Sequence, residues 1–90
     1  MAKIYKTDGS IIDVEPKNGT DFKWEELHDI VGGYIEIVQL NSNQIMVVNE
    51  EGKLYNLGYN SNATEAMRDN LLTNDYIVGD ALLCDSSQVE

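Results

Sequence analysis

The first fifteen residues place apolar side chains on either side of an Asp8-Gly9 pair. Residues 3–7 and 10–15 carry the isoleucine, tyrosine and valine side chains that favour extended strands. An Asp-Gly pair between two such segments predicts a two-residue type I′ turn, because both central residues of that turn need positive φ. The resulting hairpin register predicts three residues that face the core together: Tyr5, Ile12 and Val14.

Apolar residues recur three and four positions apart at Trp24, Leu27 and Val31. This spacing places them on one stripe of a helix, so it predicts a helix over residues 24–31. The following Gly32-Gly33 pair supplies the left-handed conformation in which helices commonly end. The segment is therefore expected to be a short helix with its apolar stripe, Trp24 included, against the core.

Three alternating or apolar segments occupy the middle of the chain, over residues 34–40, 45–49 and 53–57. The loop Asn41-Ser42-Asn43 has the composition of a turn, because asparagine and serine bond their own backbone. The loop Glu50-Glu51-Gly52 carries glycine where a hairpin needs a left-handed residue. The pattern predicts a three-stranded antiparallel meander whose last strand, over residues 53–57, is an exposed edge.

The C-terminal third predicts a second helix and a last strand. Asn62, with Glu65 three residues later, has the spacing of a capping box and predicts a helix over residues 63–72. Apolar residues 76–78 and 81–84 predict a strand, and the Gly79-Asp80 pair between them predicts a bulge or a close backbone approach.

These elements predict a single α+β domain over residues 1–85, followed by a flexible tail over residues 86–90. Its sheet is mainly antiparallel and consists of the N-terminal hairpin, the central meander and the C-terminal strand. Two short helices are expected to cover one face of that sheet.

The charge of the chain limits the classes of partner. Among its 90 residues, 16 are acidic and 6 are basic, which gives a net charge of -10 and a pI near 4.2. A nucleic-acid-binding protein needs a basic surface that displaces counterions from phosphates, and an anionic membrane would repel this chain. We therefore expect no nucleic-acid and no membrane partner. A basic protein partner and simple solubility both remain open.

The residue types that carry most enzyme chemistry are scarce. His28 and Cys84 are the single histidine and the single cysteine, so they cannot complete a tetrahedral zinc site. Cys84 ends an apolar run and is expected to be a buried, inert thiol. A carboxylate pair such as Glu36 and Asp80 could perform acid–base chemistry, but no spacing brings the two together. We expect no catalytic residue, metal or cofactor, and hence no enzyme.

Two surface patterns are candidates for binding. Acidic residues at helical spacing in the first helix, joined by the acidic turn, form the predicted partner-binding set of Glu25, Glu26, Asp29, Glu50 and Glu51. Tyrosine and asparagine offer contact area at a low entropic cost, and they define an alternative ligand-binding loop. That loop comprises Tyr55, Asn56, Tyr59, Asn60 and Asp80.

Four segments carry a resemblance to a known family: ELHDIVGGYIE over residues 26–36, MVVNEEGKL over 46–54, AT at 63–64 and YIVGDAL over 76–82. Together they resemble a family of small domains of unknown function from phages, plasmids and gut-type bacteria. The resemblance implies a mobile-element origin and a bacterial cytoplasm, and it supplies no catalytic residues. The absence of a signal-peptide pattern and of an apolar run near 20 residues also favours the cytoplasm.

The sequence thus predicts a non-enzymatic accessory protein of a phage or mobile element that binds a basic protein through an acidic surface. The alternative is a small-ligand or effector-binding module. A homodimer is a third hypothesis, because the predicted edge strand over residues 53–57 could pair with a second copy.

Overall fold

The computed structural model describes residues 2–89, which form a five-stranded antiparallel sheet and two α-helices. The strands are β1 (Ala2–Tyr5), β2 (Ile11–Val14), β3 (Ile35–Gln39), β4 (Gln44–Asn49) and β5 (Ala81–Asp85). The helices are α1 (Trp24–Val31) and α2 (Ser61–Asn70), and a 3₁₀ turn follows at Ser86–Gln88. The strand order is β2-β1-β5-β4-β3, with every neighbouring pair antiparallel. The predicted α+β class and mainly antiparallel sheet are confirmed.

The N-terminal hairpin closes through three residues, so the predicted two-residue turn is wrong. Lys6 N–H donates to the Ser10 carbonyl oxygen at 2.9 Å, and Gly9 lies in the loop with φ +93°. Asp8 accepts from both the N–H and the hydroxyl of Ser10, at 2.8 and 2.6 Å, which stabilises this wider loop. Tyr5 now pairs with Ile11, one residue away from the predicted register. Because side chains alternate across a strand, this shift places Tyr5 on the opposite face of the sheet from Ile12 and Val14, which were predicted to share its face.

The prediction of a third meander strand over residues 53–57 is also wrong. Residues 53–57 form consecutive turns, in which Tyr55 N–H donates to the Glu51 carbonyl at 3.0 Å and Leu57 N–H to that of Gly52 at 2.9 Å. The free side of β4 pairs instead with β5. The β5 segment, ALLCD, has four apolar side chains in succession, whereas residues 53–57, KLYNL, include a lysine and an asparagine. The β5 segment is therefore better suited to the centre of a covered sheet. The edges of the described sheet are therefore β2 and β3.

Each helix covers a different face of the sheet, rather than both helices covering one. Leu27 and Val31 of α1 belong to a core cluster that includes Ile45, Val47, Leu82 and Cys84. Ala63 and Met67 of α2 belong to a second cluster that includes Met46, Val48 and Ala81. Residues 45–48 alternate between the two clusters, as successive side chains of a strand must. This double coverage explains why all four residues are buried.

The helix α1 has the predicted bounds, and Gly32 at φ +79° ends it. The helix α2 begins two residues earlier than predicted because its N-cap is Asn60 and not Asn62. The side-chain oxygen of Asn60 accepts a hydrogen bond from Ala63 N–H at 3.0 Å.

Residues 86–89, expected as part of a flexible tail, contact the body of the domain. The Gln88 carbonyl oxygen accepts from Phe22 N–H at 2.7 Å, and Val89 packs against the α1-side core cluster. Glu90, the last residue of the predicted tail, lies outside the described residues. None of the described helices is long and apolar enough to cross a membrane.

Candidate functional site

The acidic residues of α1 have two different roles. Glu25 and Asp29 are exposed, and within residues 2–89 neither side chain makes a hydrogen bond or an ion pair. The carboxylate of Glu26 instead accepts from the backbone N–H groups of Lys23, at 2.9 Å, and Lys17, at 3.0 Å. These two hydrogen bonds lower the pKa of Glu26. Glu26 therefore fixes the start of α1, whereas Glu25 and Asp29 are available to a partner.

A groove of about 240 Å³ lies beside this acidic surface, between α1 and the end of β2. Its apolar floor is formed by Val14, Phe22 and Ile30. Its charged rim consists of Glu15, Lys17, Glu26 and Asp29. We call this feature the α1–β2 groove. An apolar floor with a mostly acidic rim is suited to a long side chain that has an aliphatic stem and a cationic tip.

The sequence groups Glu50 and Glu51 with the acids of α1; in the structure both lie in the turn after β4, and Glu50 lines a different cavity from Glu26 and Asp29. Glu50 borders a cavity of about 350 Å³ together with Glu36, Lys53 and Asp75. This β3–β4 cavity has its floor on the α2 face of the sheet, where Val38, Val48 and Met67 line it. It shares no lining residue with the α1–β2 groove. The five acidic residues predicted to bind a partner therefore do not all line the same groove.

The basic side chains have intramolecular partners, with one exception. Four lysines pair with carboxylates: Lys3 with Asp13 at 2.7 Å, Lys6 with Asp80 at 3.7 Å, Lys23 with Asp21 at 3.4 Å, and Lys53 with Asp75. Arg68 donates to the carbonyl oxygens of Asn74 and Asp75. Within the part of the chain that the structure describes, only the ammonium of Lys17 has no such partner. Glu25 and Asp29 therefore make no ion pair among the described residues, and the ammonium of Lys17 is the one cation on the rim of the groove that Asp29 lines.

Asn60, predicted as part of a ligand-binding loop, is fully buried and holds three segments together. Its amide nitrogen donates to the carbonyl oxygens of Tyr5, at 2.7 Å, and Gly79, at 2.9 Å. Its amide oxygen accepts from Ala63 N–H as the cap of α2. With both donor hydrogens and its oxygen engaged, Asn60 has a structural role and does not present its side chain to a ligand.

The other four residues of the predicted loop do not converge on one cavity. Asp80 accepts from Thr7 N–H at 3.0 Å and borders a cavity of about 310 Å³ that Asp29 also lines. Tyr59 borders a different cavity near α2, with its ring centroid 6.1 Å from that of Tyr76. Tyr55 is exposed, and Asn56 adopts φ +57° in the turns after β4.

Trp24 was predicted in the core stripe of α1, but the side chain is 54% exposed. Its ring lies 4.9 Å from that of His28, which in turn meets Tyr34 edge-on at 6.4 Å. The spacing of Trp24 and His28 along the helix is the sequence signal for this contact, because residues four apart are neighbours. These three side chains form an exposed aromatic patch on the α1 side of the sheet.

Cys84 is buried at the centre of the α1-side core, as predicted. Burial raises the pKa of its thiol to about 11, so the thiol stays neutral at physiological pH. The residues Glu36 and Asp80 line different cavities, and no hydrogen bond joins their carboxylates. Among the described residues, no group of three or more histidine, cysteine or acidic side chains could hold a metal ion.

The fold and these surfaces define a small acidic α+β domain with one helix on each face of a five-stranded antiparallel sheet. The model of a family described as a domain of unknown function, DUF3846, matches residues 6–90, and the chain belongs to this family. No curated protein and no solved structure matches the chain.

Proposed function

We propose that this domain is a non-enzymatic accessory protein of a phage or other mobile element that binds a basic protein in the bacterial cytoplasm. The binding surface is the α1–β2 groove together with the exposed acids Glu25 and Asp29. The observation that carries the proposal is an apolar groove beside exposed, unpaired acids. Asp29 lines the groove and Glu25 lies one helical turn before it, and neither makes an ion pair within the described part of the chain. Five of the six basic side chains have intramolecular partners, and the sixth, Lys17, lies on the rim of the groove.

The groove explains how a partner could gain more than surface ion pairs. An exposed ion pair contributes only about 0–1 kcal/mol, so a few such pairs do not make a stable complex. A lysine or arginine side chain of the partner can lay its stem on Val14, Phe22 and Ile30 while its cation approaches Glu15 and Asp29. Burial of the stem supplies affinity, and the surrounding acids supply specificity and a fast encounter.

Capture of the partner is expected to depend strongly on salt. A tagged domain should retain a stoichiometric basic protein from host lysate at about 0.1 M salt and release it at about 1 M. Over this range the Debye length falls from about 10 Å to about 3 Å, which screens exposed charges. Mass spectrometry of the two eluates measures the effect. Capture that survives the higher salt, or a blank at both concentrations, would count against the proposal.

A small-ligand module is the second candidate, and the β3–β4 cavity favours it. Its volume of about 350 Å³ and its floor of Val38, Val48 and Met67 are compatible with a small organic ligand. The ligand site of this second candidate is therefore the β3–β4 cavity and not the loop predicted from the sequence. A thermal-shift screen with nucleotides and common metabolites should give a reproducible rise in Tm with at least one of them. If every compound leaves Tm unchanged, this candidate is abandoned.

A further inference from the structure

The outer edge of β3 has backbone groups that no strand of the described sheet pairs. The Tyr34 carbonyl accepts from Glu50 N–H at 2.9 Å, and Leu40 N–H donates to the Gln44 carbonyl at 3.0 Å. Bonded and non-bonded pairs alternate along an antiparallel ladder, so the even-numbered residues of β3 bond to β4. Three odd-numbered residues therefore direct their N–H and C=O groups away from the sheet: Ile35, Ile37 and Gln39.

This edge lacks most of the features that commonly block strand addition. Natural edge strands are protected by charged side chains, above all lysine, by proline or by being very short. The sequence of β3, IEIVQ, contains neither lysine nor proline, and its one charged residue is Glu36. The opposite edge, β2, is a four-residue strand in which Asp13 is paired with Lys3, and Pro16 follows it closely. The edge at β3 is therefore the more accessible one for an added strand.

The two sides of this edge differ in chemistry. On the α1 face, Ile37 is 47% exposed, and the aromatic patch of Trp24, His28 and Tyr34 lies on the same side of the sheet. On the α2 face, Glu36 borders the β3–β4 cavity with Glu50 and with Asp75, whose carboxylate is paired with Lys53. A strand beside β3 would thus have alternate side chains next to an apolar surface and next to a surface where, within residues 2–89, Glu36 and Glu50 are unpaired and the cation of Lys53 is already engaged.

We propose that β3 accepts an extended segment of another protein as a sixth strand, and that this segment alternates apolar and basic side chains. Backbone hydrogen bonds to Ile35, Ile37 and Gln39 supply affinity, and Glu36 and Glu50 select the basic positions. A second copy of this chain is the less suitable occupant, because its β3 brings another Glu36 and no cation, and each copy carries a net charge of -10. The site is separate from the α1–β2 groove, so each proposal can fail without the other.

The test uses a synthetic peptide of alternating lysine and valine and the full ¹⁵N-labelled chain. Bound peptide should slow hydrogen exchange of the Ile35, Ile37 and Gln39 amides by at least about tenfold, because exchange requires the new hydrogen bonds to open. Ile37→Pro removes an outward N–H without breaking the ladder to β4, and it should abolish binding. Ile11→Pro, a matched change at an outward position of β2, should bind like the unaltered chain, and Tm measurements confirm that both variants are folded.

Three kinds of result would overturn the proposal. The first is absence of peptide binding up to millimolar concentration, or full binding by Ile37→Pro. The second is binding with amide changes confined to α1, which would assign the peptide to the acidic groove and leave the first proposal intact. The third is slow exchange of the same β3 amides without peptide, together with a dimeric mass in sedimentation, which would make a second copy the occupant.

Discussion

Replacement of Asn60 by aspartate is expected to destabilise the domain by at least about 3 kcal/mol at neutral pH, since two buried acceptors lose their donors and a charge is buried. The Asn60 amide nitrogen donates to the carbonyls of Tyr5 and Gly79, and the side chain is fully buried. A carboxylate retains the cap at Ala63 but faces two carbonyl oxygens. Urea unfolding monitored by circular dichroism measures the loss in the free energy of unfolding.

The destabilisation caused by Asn60→Asp should diminish as the pH falls. Burial and the facing carbonyls raise the pKa of the introduced carboxyl in the folded state, so the folded state binds its proton at a higher pH than the unfolded state does. Asn60→Asp should therefore be least stable, relative to the unaltered chain, above that raised pKa. Asn62→Asp is the control, because the half-buried Asn62 makes one hydrogen bond, to the Gly9 carbonyl. Equal losses in the two variants would refute the structural role of Asn60.

Truncation of the core should be costly on both faces of the sheet. Met46 lies in the α2-side cluster and Leu82 in the α1-side cluster, and both side chains are fully buried. Each alanine replacement should cost about 2–5 kcal/mol, from lost burial and from the cavity left behind. Both clusters share the backbone of β4 and β5, so each variant should unfold in one transition with a lower midpoint in urea.

Ile12→Ala serves as the control for these variants, because Ile12 is 45% exposed at the β2 edge. It should cost less than either core replacement. A cost below about 1 kcal/mol for Met46→Ala would mean that α2 does not cover its face of the sheet, and the two-layer core would then be incorrect.

Local sequence patterns predicted those parts of the fold that depend on residues close together in the chain. The three- and four-residue spacing of Trp24, Leu27 and Val31, with Gly32 after them, predicted the bounds of α1, although Trp24 itself is exposed. The hairpin register depended on the hydrogen bonds of Asp8 with Ser10, which compete with the two-residue turn favoured by Asp-Gly. The pairing of β4 with β5 joins segments more than 30 residues apart, and no local pattern distinguishes it from pairing with residues 53–57.

The candidate site was predictable only in part, for the same reason. Helical spacing predicted that Glu25 and Asp29 lie on the surface near one another. It did not distinguish Glu26, whose hydrogen bond to Lys17 N–H depends on the path of the preceding loop. The groove requires the end of β2 to lie against α1, and the burial of Asn60 requires β1, α2 and the Gly79 turn to meet. These contacts arise from tertiary packing and leave no signature in the local sequence.

The most direct test of the binding proposal is capture from host lysate by two charge-reversal variants. Glu25→Lys/Asp29→Lys alters the proposed surface, and Glu65→Lys/Asp69→Lys makes the same change in charge at two exposed acids four residues apart on α2. At about 0.1 M salt, where electrostatic contacts are still effective, the α1 variant should capture at least about tenfold less of the basic partner. The α2 variant should capture as much as the unaltered domain. Equal capture by both variants, or an equal loss in both, would contradict a specific role for the acidic surface of α1.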